Sequence, residues 1–131
     1  MRAISVRQPW AALIVHGIKP VENRTWTTTY RGPVLIHAGK KLDIDGEIFL
    51  HENALETVGA RLIDSSPEWL TYDTSGRPRG GIVGRAKLVD VVVTHPSPFF
   101  TGPFGWVFEN AEPLPFHPCR GQLGLFRMEY P

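Results

Sequence analysis

Apolar residues recur at two spacings along the first forty positions, and each spacing selects an element. In RAISVR, Ile4 and Val6 stand two apart, the period of a strand with one buried face. QPWAALIVHG then carries Trp10, Leu13 and Ile14 at helical spacing, has Pro9 at an early helical position and stops at Gly17, which predicts a short helix. VENRTW returns to period two, the turn YRGP follows, and VLIHA is an apolar strand closed by the polar turn GKK. Asp43 is placed to cap a second helix bearing Ile44, Ile48, Leu55, Val58 and Leu62, with Gly59 as an early stop. SSPEWLTYDTSGRPRGG, residues 65 to 81, has the composition of a surface loop or disordered excursion.

The second half is strand-rich. GIVGRAKLVDVVV is long enough to bend round a barrel with Gly84 as a bulge or corner, and GWVFEN and LGLFRME supply further strands. The proline-rich connections between them are expected to stay outside any central ladder. Taken together, the pattern predicts an α+β, mainly β chain, a small and partly closed β-barrel with flanking helices. The segments around Ile4, Val34 to His37, Ile82 to Val93, Trp106 to Phe108 and Leu123 to Arg127 should share one curved sheet, since their apolar residues need a common core.

Composition narrows the possibilities further. A chain of 131 residues with 42% hydrophobic content suits a single domain over 1–131 with one core. Its 13 Gly and 12 Pro, without a period or a low-complexity block, imply many turns. The 14 basic residues are nearly cancelled by 13 acidic ones, so any nucleic-acid binding must be local. Cys119 is the single cysteine, no apolar run approaches the roughly 20 residues that span a bilayer, and MRAISVRQPW lacks the apolar core of a signal peptide. A reduced, soluble, cytoplasmic protein with no membrane contact is expected. The histidines and Cys119 form no H-x-E with C-x-x-C pattern, and no Walker motif, G-x-S-x-G elbow or Rossmann fingerprint occurs, so neither metal nor cofactor is expected.

One stretch concentrates chemistry. GIKPVENRTW places Glu22, Arg24 and Trp26 at period two on one side of an extended segment, with Lys19 just before it. A carboxylate that accepts from an exocyclic amine, a bidentate guanidinium and an indole that stacks are groups that read a nucleobase. The same spacing also suits a solvated Glu22 and Arg24 pair with Trp26 covering the barrel.

SVRQPWAALIVHGIKPVENRTW followed by YRGPVLIHAGK resembles the activating-signal-cointegrator homology (ASCH) domain, whose signature G-x-K-x-x-E-x-R is met by Gly17, Lys19, Glu22 and Arg24. FGWVFENAEPLPFHPCRGQLGLFR is similar to the closing strands of compact bacterial members, so the resemblance covers most of the chain apart from about Leu42 to Gly80. It implies a barrel of the PUA-like superfamily, with the signature lining a cleft between barrel and helix, and it implies recognition of RNA, single-stranded nucleic acid or a modified nucleoside. Some relatives are amidohydrolases acting on N4-acylated cytosine nucleosides through a lysine, a threonine and a glutamate, the threonine standing where this chain has Glu22. Ribonuclease activity is associated with others. In a hydrolase of this kind Lys19 is the candidate base, Glu22 receives or relays the proton, and Arg24 stabilises the oxyanion.

Further binding candidates surround the motif. Gln8 is suited to a base edge and Trp10 to stacking, although Trp10 on the apolar helix face also suits the core. His37 is a candidate phosphate contact or second proton carrier, with a structural hydrogen-bonding role as the alternative. Arg31, Lys40 and Lys41 form a local basic edge suited to phosphate.

Overall fold

The computed structural model of the protein describes residues 1–46, 48 and 78–131. In chain order, β1 (Arg2–Gln8) leads into α1 (Trp10–Val15), then β2 (Val21–Arg24), β3 (Gly32–Leu42), β4 (Gly81–Val92), β5 (Phe104–Pro118) and β6 (Phe126–Arg127). The strands form one sheet in the order β2-β5-β4-β3-β1-β6. Neighbours are antiparallel except β1 and β3, which run parallel. A parallel pair needs a crossover, and the stretch holding α1 and β2 supplies it.

The sheet curls. Arg24, at the end of β2, donates from Nη2 to the Ser5 carbonyl of β1 at 2.7 Å, although β5, β4 and β3 lie between those strands in the sheet. That contact requires the two ends of the sheet to approach each other. Inside the curve, Ile4, Val6, Val34, Ile36, Ala86, Leu88, Trp106 and Phe108 pack with Ala11, Ile14 and Val15 of α1. The opposite face carries Ala3, Leu35, Ile82 and Phe126, covered in part by Cys119, Met128 and Tyr130. Burial on both faces explains why VLI is an uninterrupted apolar run.

Gly84 sits where α1 meets the sheet: a Cβ there would stand 2.5 Å from both the Glu112 carbonyl oxygen and Val15 Cγ1. The β4–β5 register also shifts between Ile82 and Gly84, so the glycine marks a bulge as its position in the sequence suggested. At residue 43 the chain turns helical, and the Asp43 carboxylate accepts from the Gly46 amide at 2.9 Å, the expected capping contact. The predicted stripe at Leu55, Val58 and Leu62 and the excursion from 65 to 77 lie outside the described residues.

Three expectations are corrected. β5 runs through Pro113, Pro115 and Pro118 instead of stopping before them. It can do so because β2 is only four residues long and pairs with Phe104 to Val107, leaving the proline-bearing half of β5 as an outer edge that needs no donors. LGLFRME yields only the two-residue β6: Gly124 adopts a φ of 70° and breaks the extension, so Leu123 stands outside the sheet. Finally, β2 ends at Arg24, opposite the first residue of β5, and Trp26 packs edge-on against Trp106 at a ring separation of 4.7 Å.

Candidate functional site

The site begins with the way α1 ends. Gly17 takes a φ of 75°, its amide donates to the Ile14 carbonyl at 3.0 Å, and the Ile18 amide donates to the Leu13 carbonyl at 2.9 Å. This pair of bonds is a Schellman closure, which a residue with a Cβ would enter only with strain. A further bond, from the Lys19 amide to the same Leu13 carbonyl at 3.0 Å, folds the chain back so that Lys19 lies under the helix.

Lys19 is consequently only 3% exposed, and its Nζ donates to Glu22 Oε1 at 2.6 Å. Arg24 Nη2 donates to the other carboxylate oxygen, Oε2, at 3.0 Å. Glu22, itself buried, therefore stands between two cations, one on each oxygen. Such a triad carries a net positive charge in a place where water screens it weakly. Lys19 Nζ also lies 5.5 Å from the centre of the Trp10 ring, within cation–π range. The Trp10 indole N–H donates to Asp43 Oδ2 at 2.8 Å. Burial alone would raise the Asp43 carboxyl, but the bonds from Trp10 and the Gly46 amide, with the charge of Arg7, outweigh it and hold the carboxyl below its ordinary value.

These groups line a cavity of about 780 Å³. Its wall includes five cationic residues, Arg7, Lys19, Arg24, Lys40 and Lys41, against two carboxylates, Glu22 and Asp43. An apolar side is formed by Trp10, Pro98, Phe99 and Leu123. The chain as a whole is close to neutral at +1, so this excess of cations is a local feature.

Of the residues singled out from the sequence, the structure brings Trp10, Lys19, Glu22, Arg24, Lys40 and Lys41 to this cavity. The others lie elsewhere. Gln8 is fully buried, its Oε1 accepting from the Ala12 amide at 3.0 Å and its Nε2 donating to the Pro78 carbonyl at 2.9 Å. His37, also buried, bonds through Nε2 to the Cys119 carbonyl oxygen at 2.8 Å and through Nδ1 to Ser5 Oγ at 3.1 Å. As the Cys119 carbonyl can only accept, Nε2 carries a proton; in the neutral ring Nδ1 then accepts from the serine hydroxyl. Arg31 donates to the carbonyls of Thr28 and Tyr30, and Trp26 is taken up by Trp106.

Arg7, Asn23, Asp43, Thr101 and residues 122–124 also line the cavity, without having been expected there. A signal for Arg7 was present: the alternation that sets Ile4 and Val6 apart puts Ser5 and Arg7 together. Nothing local marks the rest, which arrive through tertiary contacts. Asn23, for example, donates from Nδ2 to the Phe99 carbonyl at 2.9 Å and accepts at Oδ1 from the amides of Thr101 and Gly102 at 2.8 and 3.1 Å. It pins the 99–102 loop to β2 and so fixes one cavity wall. Asn23→Ala should destabilise the protein by about 1–3 kcal/mol through three lost bonds. The Thr101 and Gly102 amides should also exchange faster with deuterium, while the strand amides of β3 and β4 keep their protection relative to global unfolding.

Among the described residues no helix is long and apolar enough to cross a membrane, and no three His, Cys, Asp or Glu residues are grouped as metal ligands would be. Two relatives share part of the chain. Activating signal cointegrator 1 of Homo sapiens is 55% identical over 87 residues, a stretch that is 66% of this chain and 14% of that protein. The Mus musculus protein of the same name is 53% identical over a stretch of the same length, with the same shares. The chain thus corresponds to a small part of each. The model of the ASCH domain matches residues 4–102, which hold Lys19, Glu22 and Arg24 as well as the Asn23-bound loop. With well over half of its residues inside that match, the chain belongs to the ASCH domain family.

Proposed function

We propose that this chain is one ASCH domain that recognises RNA or a modified nucleoside in the cavity floored by Lys19, Glu22 and Arg24. The observation that carries this reading is the triad of net positive charge, buried at Lys19 and Glu22 and partly covered at Arg24, with three further cationic residues, Arg7, Lys40 and Lys41, on the same cavity wall. Cations at that density in an otherwise neutral protein suit an anionic ligand, and the adjoining apolar side suits one that also carries a flat ring. Membership of the ASCH family supports a function of RNA-binding type in general. In this reading Arg7, Lys40 and Lys41 meet phosphate oxygens, while Arg24 and the remaining lone pairs of Glu22 meet polar groups of the base.

Salt dependence tests it. Three phosphate contacts on a single strand imply that log K falls with log salt at a slope of magnitude about 2, from about 0.7 per phosphate. Fluorescence anisotropy with a short single-stranded RNA across a salt series measures that slope. No binding at low salt, or a slope above about 5, would contradict a local site.

A second reading is supported by the size of the cavity, which lies within the roughly 300–1,000 Å³ of small-molecule sites. It is an amidohydrolase acting on N4-acylcytidine. Water would add to the acyl carbonyl carbon, Glu22 would relay the proton to the departing exocyclic nitrogen, and the C–N bond would break to give a carboxylic acid and the free nucleoside. Arg24 would face the developing oxyanion. Turnover of N4-acetylcytidine separates this reading from the first.

A further inference from the structure

Leu123 is 100% exposed, yet it lines the cavity together with Gln122 and Gly124. An apolar side chain left wholly in water at the mouth of a charged pocket has no part in the core. The turn that holds it is nevertheless fixed. Cys119 is tied from two sides, its amide donating to the Gly80 carbonyl at 3.1 Å and its carbonyl accepting from His37 Nε2 at 2.8 Å. Gly121 lies so close to β1 and β3 that a Cβ there would stand 2.5 Å from Ser5 Oγ and 2.7 Å from His37 Cε1. Gly124 then reverses the chain at a φ of 70°. Ser5 is also the residue whose carbonyl accepts from Arg24, so the turn and the ionic floor are braced on the same strand.

Gln122, next to Leu123, is exposed and its side-chain amide has no hydrogen-bond partner among the described residues. A free amide offers a donor and an acceptor side by side, the combination that pairs with a base edge. Both residues lie beyond the 4–102 stretch matched by the family model.

We infer that the 120–124 turn is the specificity lip of this site, in which Leu123 covers the flat ring of the bound base and Gln122 reads its polar edge. This rests on the proposed recognition of a nucleotide unit. The rim cations would hold the phosphate whatever base it carries, and the lip would choose among bases. His37 holds the turn against the sheet through its bond to the Cys119 carbonyl.

The test compares wild type, Leu123→Ser and Gln122→Ala on the four nucleoside 5′-monophosphates and on ribose 5-phosphate, which keeps the phosphate but lacks the base. Because both side chains are exposed, thermal unfolding should be unchanged and the variants remain interpretable. Leu123→Ser should weaken every nucleotide about five- to tenfold and leave ribose 5-phosphate unaffected. Gln122→Ala should narrow the spread of affinities among the four bases. If wild type binds nucleotides and both variants match it, the lip is overturned while the site stands. Equal losses on nucleotides and ribose 5-phosphate would also overturn it, by showing a contact that does not involve the base. If wild type binds no nucleotide, and no RNA in the salt series, the recognition reading fails and the lip fails with it.

Discussion

Glu22→Gln should destabilise the protein by about 3–5 kcal/mol, the usual cost of removing one partner from a buried ion pair. The reason lies in what remains. Lys19 is 3% exposed and Arg24 is largely covered, and each places a donor on one oxygen of the same carboxylate. A glutamine amide keeps the shape, but it removes the charge with which both cations pair and turns one acceptor into a donor facing a cation. Urea unfolding at unchanged m-value measures the loss, and a change below about 1 kcal/mol would show that water or rearrangement already screens the triad. Replacing all three groups by apolar side chains of similar size, Lys19→Met, Glu22→Leu and Arg24→Met together, should return stability to within about 2 kcal/mol of wild type, because the desolvation cost disappears with the charges. Under the proposed function that variant folds and binds no RNA.

The core strands were legible because their apolar residues face a buried surface on each side of the sheet. β1, β3 and β4 pack both on α1 and under the C-terminal segment; β3 stands out as an apolar run, β1 by the period-two spacing of Ile4 and Val6, and β4 by its length and its apolar ends. The outer half of β5 was not legible, because its prolines forbid an interior strand and nothing local says that β2 would be too short to make it one. At the site, period two put Glu22 and Arg24 on one face of a strand with Lys19 just before it, but the closing of the triad depends on the bond from the Lys19 amide to the Leu13 carbonyl that folds Lys19 back onto Glu22. Gln8 and His37 look equally available in sequence. Their partners, the carbonyls of Pro78 and Cys119, are 70 and 82 residues away, so the bonds that occupy them become visible only when the sheet closes. The same distance hid the loop pinned by Asn23 and the lip at Leu123. Local pattern reports what a side chain can do; long-range packing decides whether it is left free to do it.

Arg24→Ala should weaken RNA or nucleoside binding by about 1–3 kcal/mol, the loss that follows removal of a bidentate charged donor from a direct contact. Its other duty, the bond to the Ser5 carbonyl, means that part of any loss reflects a loosened junction between β2 and β1. Comparison with Lys19→Met separates the two contributions. That substitution keeps the aliphatic stem against Trp10, leaves Arg24 paired with Glu22, and deletes only the ammonium group. If the site only binds, both variants lower affinity and no N4-acetylcytidine is consumed by any form of the protein. If it also hydrolyses, Lys19→Met should abolish deacylation while binding largely survives, because the group lost would act in the transition state and not in the ground state. Arg24→Ala would lower both. Measuring deacylation by chromatography alongside binding constants for wild type and the two variants decides the matter. Turnover in Lys19→Met equal to that of wild type would remove Lys19 from the chemistry and leave it as a cation that holds Glu22 in place.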